Sequence, residues 1–172
     1  MTRVRRPRSV AADPRRARID AYGLLGVEPR EPALEELVRR ACEATGVAIA
    51  WLSLFDGERE RMVAAAGIAP RELAHAESFA FAPGSAPPFF MEDARRSPFK
   101  AHPWVGAARG VRFIGAVPLV TPEGLAVGSL TVLDRVPRVL SAHALSALEN
   151  LDRKSTRLNS SHIQKSRMPS SA

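Results

Sequence analysis

Two apolar, β-branched runs, Phe113 to Val120 and Leu125 to Leu133, flank the turn Thr121-Pro122-Glu123-Gly124, which is the pattern of an antiparallel hairpin. Neither run alternates between polar and apolar residues, so other parts of the protein must cover both of its faces. This reading puts the hairpin in the middle of a sheet. Val47 to Phe55 is a third run rich in Ile, Trp and Leu on both faces, and it too belongs near the sheet centre. After an Asp56-Gly57 turn, Glu58 to Ala66 returns as a more polar, edge-like strand paired with it.

Helical periods surround these strands. Asp13 and Pro14 suit the start of a helix carrying Ile19, Tyr22 and Leu25 or Gly26, which Gly26 and Pro29 end. Pro32 opens a second helix with an apolar stripe of Leu34, Leu37, Val38, Ala41 and Cys42, stopped by Gly46. Ser141 caps a last helix through Ala142, Leu145, Leu148 and Leu151, with Leu140 placed to pack on Leu145 as a hydrophobic staple.

The stretch from Gly67 to Trp104 differs in kind, because Pro70, Pro83, Pro87, Pro88, Pro98 and Pro103 break any long element. Pro88 to Asp93 reads as a short strand, and Ala94 to Lys100 as a short helix capped by Asp93. A long irregular segment inside a compact domain is uncommon unless it has a job such as walling a pocket. Phe79, Phe81, Phe89, Phe90, Phe99 and Trp104 all fall within it, so these rings either line a cavity or anchor the wall.

Composition narrows the function classes. With 172 residues and 45% hydrophobic content, the chain suffices for one domain with a single core. The formal charge of +7 resembles that of a nucleic-acid binder. Its distribution argues otherwise: seven Arg fall in residues 1–18 and five Lys or Arg in 152–172, while 19–151 hold 13 basic and 16 acidic residues, a net of −3. No nucleic-acid partner is therefore expected. The absence of a long apolar run or secretory signal predicts a cytoplasmic protein with no membrane partner. Cys42 is the only cysteine, which excludes a disulfide framework and a cysteine-based metal site.

No catalytic pair declares itself. His75, His102 and His143 stand alone in sequence, the glycines follow no phosphate-loop spacing, and Asp93 in the acidic pair Glu92-Asp93 is accounted for as a helix cap. The expectation is a protein with no catalytic and no metal-binding residues, and the residues specify no cofactor.

At Asp152 the helical period stops, and the remaining 21 residues are Ser-rich and basic. Asp152 to His162 and Arg167 to Ala172 resemble the translated constant parts of a common sequencing adapter, with Ile163 to Ser166 spanning an index. The expected organisation is a disordered basic arm at 1–13, a folded domain at 14–151 and a non-native, disordered tail at 152–172, with the native continuation after Leu151 lost by truncation.

Several stretches together carry a family resemblance: Tyr22-Gly23-Leu24-Leu25-Gly26-Val27; Val47 to Asp56 with Arg59; Asp93-Ala94-Arg95-Arg96-Ser97-Pro98-Phe99; Gly110 to Gly124; Gly128 to Asp134; and Pro137-Arg138-Val139-Leu140-Ser141. In this order they resemble a GAF domain of a bacterial signalling protein. The resemblance implies an α+β fold, GAF/PAS-like, with a central antiparallel sheet of five or six strands. Terminal helices would cover one face and a loop and short-helix pocket wall the other.

It also implies a small molecule bound under that wall, for which the candidate contacts are Trp51, Phe79, Phe81, Phe90, Asp93, Phe99, Trp104, Phe113 and Ser129. Where many relatives carry Ser-Phe-Cys-Ala-His, this chain has Ser78-Phe79-Ala80-Phe81-Ala82, so no thiol, metal or covalent-chromophore role is expected there. The Asn-Lys-Phe-Asp-Glu constellation of cyclic-nucleotide-binding relatives is not visible either. The implied function is a sensory or regulatory module that binds a small molecule or homodimerises through its terminal helices. It would relay its state to a lost output domain of kinase, cyclase or phosphatase type. The alternatives are an enzyme like free methionine sulfoxide reductase and a ligand-free structural dimerisation domain.

Overall fold

A computed structural model describes residues 32–55, 59–69, 72–74, 77–79, 88–106, 110–121 and 124–151. The basic arm, the helix expected from Pro14, the Asp56-Gly57 turn, Phe81 and the segment from Asp152 lie outside the described residues.

Helix α1, Pro32–Thr45, turns Leu34, Leu37, Val38 and Ala41 inward as the stripe requires. Gly46 ends it at φ +69°, with its N–H bonded to the Cys42 carbonyl at 2.7 Å. A residue without Cβ takes that left-handed conformation at no steric cost. Outside the stripe, Glu36 pairs with Arg39 and Arg40, and Arg39 also pairs with Glu43.

Six strands follow in an antiparallel sheet: β1 Ile49–Phe55, β2 Glu60–Ala66, β3 Glu72–Leu73, β4 Phe89–Met91, β5 Phe113–Val120 and β6 Ala126–Asp134. Their order across the sheet is β3-β2-β1-β6-β5-β4. The hairpin read from the sequence is β5-β6, running in register from Phe113 opposite Asp134 to Leu119 opposite Gly128. Every residue of β6 is buried, as a strand covered on both faces should be. The strand at the hairpin's inner side is β1, so the central pair is β1 and β6, and β5 lies one strand from the edge.

Two sequence expectations need correction. Strand β2 is not an edge, because β3 pairs outside it and Glu60, Met62, Val63 and Ala64 are buried. The helix expected over Ala94 to Lys100 is two 3-10 turns, Ala94–Arg96 and Pro98–Ala101, broken at Ser97. The extended backbone of Ser97 precedes Pro98, which disfavours helical geometry there, and its hydroxyl caps the second turn by accepting the Phe99 N–H at 3.0 Å. Pro118 is tolerated within β5 because, among the described residues, nothing pairs with it on the β4 side, where β4 begins opposite Ala116.

Strand alternation divides the core. Ala50, Leu52 and Leu54 of β1, Phe113 and Val117 of β5, and Leu130 and Val132 of β6 pack with α1 and with helix α2, residues 142–151, through its Leu148 and Leu151. Ser141 caps α2 by accepting the Ala144 N–H at 3.2 Å. On the opposite face Trp51, Met62, Ile114 and Leu133 pack with Leu73, Phe79, Ala94, Trp104, Val105 and Val111. No helix among the described residues is long and apolar enough to cross a membrane.

Candidate functional site

Residues of β1 and β6 at the same parity face the wall segment. Trp51 stands opposite Thr131 and Ser53 opposite Ser129, so the period of two brings one indole and three hydroxyls onto a single surface. Glu60, at the start of β2, joins them from the other side of β1. Glu60 is 2% exposed. Its Oε1 accepts the Trp51 indole N–H at 3.2 Å and the Ser53 hydroxyl at 2.5 Å, and its Oε2 accepts the Ser78 hydroxyl.

The hydroxyl chain has a direction. Because Ser53 spends its single proton on Glu60, the 3.3 Å contact between the Ser53 and Ser129 oxygens is donated by Ser129. The 3.2 Å contact between Ser129 and Thr131 is then donated by Thr131. Thr131, Ser129, Ser53 and Glu60 thus form a continuous donor-to-acceptor line across the sheet floor, buried at every member. Among the described residues, no ion pair engages Glu60.

Rings roof this floor. Trp51 packs against Trp104 and Phe79 with centroids at 5.4 and 6.4 Å, Phe79 stacks on the His102 imidazole at 4.2 Å, and Phe99 stacks on Phe89 at 5.7 Å. The Trp104 backbone N–H donates to His102 Nδ1 at 3.3 Å, which fits a neutral imidazole. Burial holds His102 below the ordinary histidine value, against the opposing pull of the Ser78 backbone and the Glu77 carboxylate.

The nine residues singled out from the sequence divide five ways. Trp51, Phe79, Phe99 and Trp104 meet in the ring layer, and Ser129 lies in the hydroxyl chain. Phe90 and Phe113 do not join them: both have the opposite parity and pack on the helix side. Asp93 caps the first 3-10 turn by accepting the Arg95 N–H at 3.2 Å and binds the Arg112 guanidinium at 2.8 and 2.6 Å. The Arg112 guanidinium holds the Asp93 carboxyl at about 2, below its usual 3.8. Phe81 lies outside the described residues.

Glu60, Ser53, Ser78 and Thr131 escaped the sequence reading. One signal existed: Glu60 shares the parity of the buried Met62, so a carboxylate was due on a covered face. Cys42 sits half-buried at the flank of the α1 stripe, and burial pushes its thiol up, with Glu43 adding to the shift. A reactive thiol needs the opposite environment.

The fold has relatives among known proteins. Residues 29–151 match the family described as GAF domain. A cyclic di-GMP phosphodiesterase of Pseudomonas aeruginosa is 34% identical over 142 residues, covering 81% of this chain and 24% of that protein. The chain therefore spans about a quarter of that relative's length. Among solved structures, the blue-light absorbing form of the Thermosynechococcus elongatus PixJ GAF domain superposes with a TM-score of 0.61 at 15% identity, over 91% of this chain and 94% of that one. The GAF domain of an Acinetobacter phosphoenolpyruvate-protein phosphotransferase gives 0.59 at 17% identity, over 90% and 96%.

Proposed function

The chain belongs to the GAF domain family, and from that premise we propose that it is a sensory module whose small-molecule ligand docks between the sheet floor and the ring layer. The observation that carries this reading is the buried line Thr131, Ser129, Ser53 and Glu60 beside Trp51, whose indole packs against Trp104 and Phe79. A ligand site uses a few placed polar groups in an apolar setting. The ligand shifts the rings of Phe79, Phe99 and Trp104, and the terminal helices carry that change to an output domain. Homodimerisation through those helices belongs to the same reading.

The identity with a cyclic di-GMP phosphodiesterase supports an output of that signalling class. The module itself is regulatory and turns over no substrate, a reading supported by the half-buried, electronegative setting of Cys42.

A thermal-shift screen of cyclic dinucleotides and central metabolites against the 172-residue chain tests the proposal. The expected result is a saturable rise in melting temperature that Ser129→Ala weakens. Absence of any response, together with a dimeric mass by light scattering, favours a structural dimerisation domain. Turnover of free methionine sulfoxide that depends on Cys42 overturns the regulatory reading.

A further inference from the structure

A cavity opens apart from the ring layer, where the end of β4 and the first 3-10 turn meet the loop between β6 and α2. It holds about 330 Å³, at the lower end of the range typical of small-molecule sites. Arg96, Arg112 and Arg138 line it with Glu92 and Asp93, and Pro137 and Val139 form an apolar rim.

Two of the three cations are fixed from behind. Arg112 gives Nε and Nη2 to the two Asp93 carboxylate oxygens at 2.8 and 2.6 Å, and Arg138 gives Nε to Asp134 at 2.6 Å. The loop is pinned as well: Asp134 accepts the Arg135 and Val136 N–H groups at 2.6 and 3.2 Å, and the Arg138 N–H reaches the Glu92 carbonyl at 3.1 Å. A guanidinium carries five N–H donors. These side-chain bonds use two on Arg112 and one on Arg138, and the remaining donors have no acceptor among the described residues.

The Arg112 and Arg138 side chains are 27% and 33% exposed, so their free donors are partly dehydrated. Held forks with unused donors at a cavity are what oxyanion recognition requires. Beside them Val139 is 77% exposed. A branched aliphatic side chain that open to water has area to gain from an apolar guest.

We propose that this cleft binds a small monocarboxylate with a short branched apolar tail. The carboxylate takes the free donors of Arg112 and Arg138, and the tail rests on Pro137 and Val139. The three lining arginines are balanced by Glu92, Asp93 and, behind Arg138, Asp134, so a monoanion that takes the free donors meets less repulsion beside exposed Glu92 than a dianion would. Because the loop leads directly into α2, occupancy ties the β4 end to the start of that helix. This site is independent of the wall-side reading.

Isovalerate is the probe, titrated into the full chain at low salt and followed by NMR of arginine side-chain and valine methyl signals. Saturable shifts at Arg112, Arg138 and Val139 are expected. Affinity should fall about tenfold in Arg138→Gln, the size of one lost charge-assisted hydrogen bond, and should not fall in Glu92→Gln. Inorganic phosphate should bind more weakly than isovalerate. Shifts that do not saturate, shifts centred on Trp51 or Phe79, equal binding of phosphate, or weakened binding in Glu92→Gln would each overturn the assignment. Glu92→Gln keeps every ion pair of the cleft, so the test stands even if Arg138→Gln fails to fold.

Discussion

On the helix side of the sheet, Leu34, Leu37, Val38, Leu52, Leu130, Val132 and Leu148 fill the space with aliphatic groups. On the wall side the same strands present Trp51, Ser53, Ser129 and Thr131, and meet Phe79, Trp104 and Glu60. The first side is held by area, which is non-directional and tolerant of shape-conserving exchange. The second is held by hydrogen bonds and ring geometry, which tolerate little exchange. A sheet that is packed firmly on one side and wired with polar groups on the other can keep its fold while one face responds to a ligand.

Substitutions can break this contrast, beginning where both faces depend on one position. A Cβ at Gly128 would lie 2.0 Å from the Ser53 carbonyl oxygen and 3.1 Å from Leu119 Cδ1. Gly128→Val should therefore force β6 away from β1 and cost at least about 3 kcal/mol, as severe overpacking does. Guanidinium denaturation measures it, and an unchanged midpoint would refute the β1-β6 register.

Next in size is the aliphatic side. Leu52, fully buried there, should lose about 3 kcal/mol as Leu52→Ala but only about 1 kcal/mol as Leu52→Met, because the second change keeps the volume. Equal losses in the two denaturation curves would mean that shape matters on this face as much as on the other.

The wall side should reject an exchange of the same kind. Glu60→Leu is close in volume, yet it removes the acceptor of Trp51 Nε1, Ser53 and Ser78. Stranding buried donors should cost about 2 kcal/mol. A neutral or stabilising result would show that the polar line contributes nothing to folding.

The smallest effect is pH. Burial depresses the folded-state value of His102 below 6.5, so the unfolded chain takes up the proton first. Its contribution is complete above about pH 6.5 and declines as the pH falls below that value. His102→Phe should flatten the melting temperature over this range. Asp93, lowered from 3.8 to about 2 by Arg112, contributes above pH 3.8 and loses that contribution as the pH approaches 2. Asp93→Asn should remove only this more acidic component of the melting curve.

The α1 stripe, the β5-β6 hairpin, the Ser141 cap and the GAF resemblance were all legible in sequence, because each rests on local periods, turns or short motifs. The pairing of β3 outside β2 was not, since a two-residue strand carries no period. The candidate site was half legible: the concentration of rings pointed to Phe79, Phe99 and Trp104, but a ring's identity says nothing of its side.

The sequence by itself determined α1, α2 and the strands β1, β2, β5 and β6, that the hairpin is covered on both faces, and that the wall is aromatic. Only the tertiary structure decided which face each residue serves. In strands apolar on both sides, alternation has no polar partner to orient it, so Phe90 and Phe113 could not be separated from Trp51. It alone also joined Glu60 to Ser78 and Ser53 to Ser129, whose hydrogen bonds span 18 and 76 positions of chain. Contacts at that separation follow from strand order and register, which emerge only when the sheet closes on both of its layers.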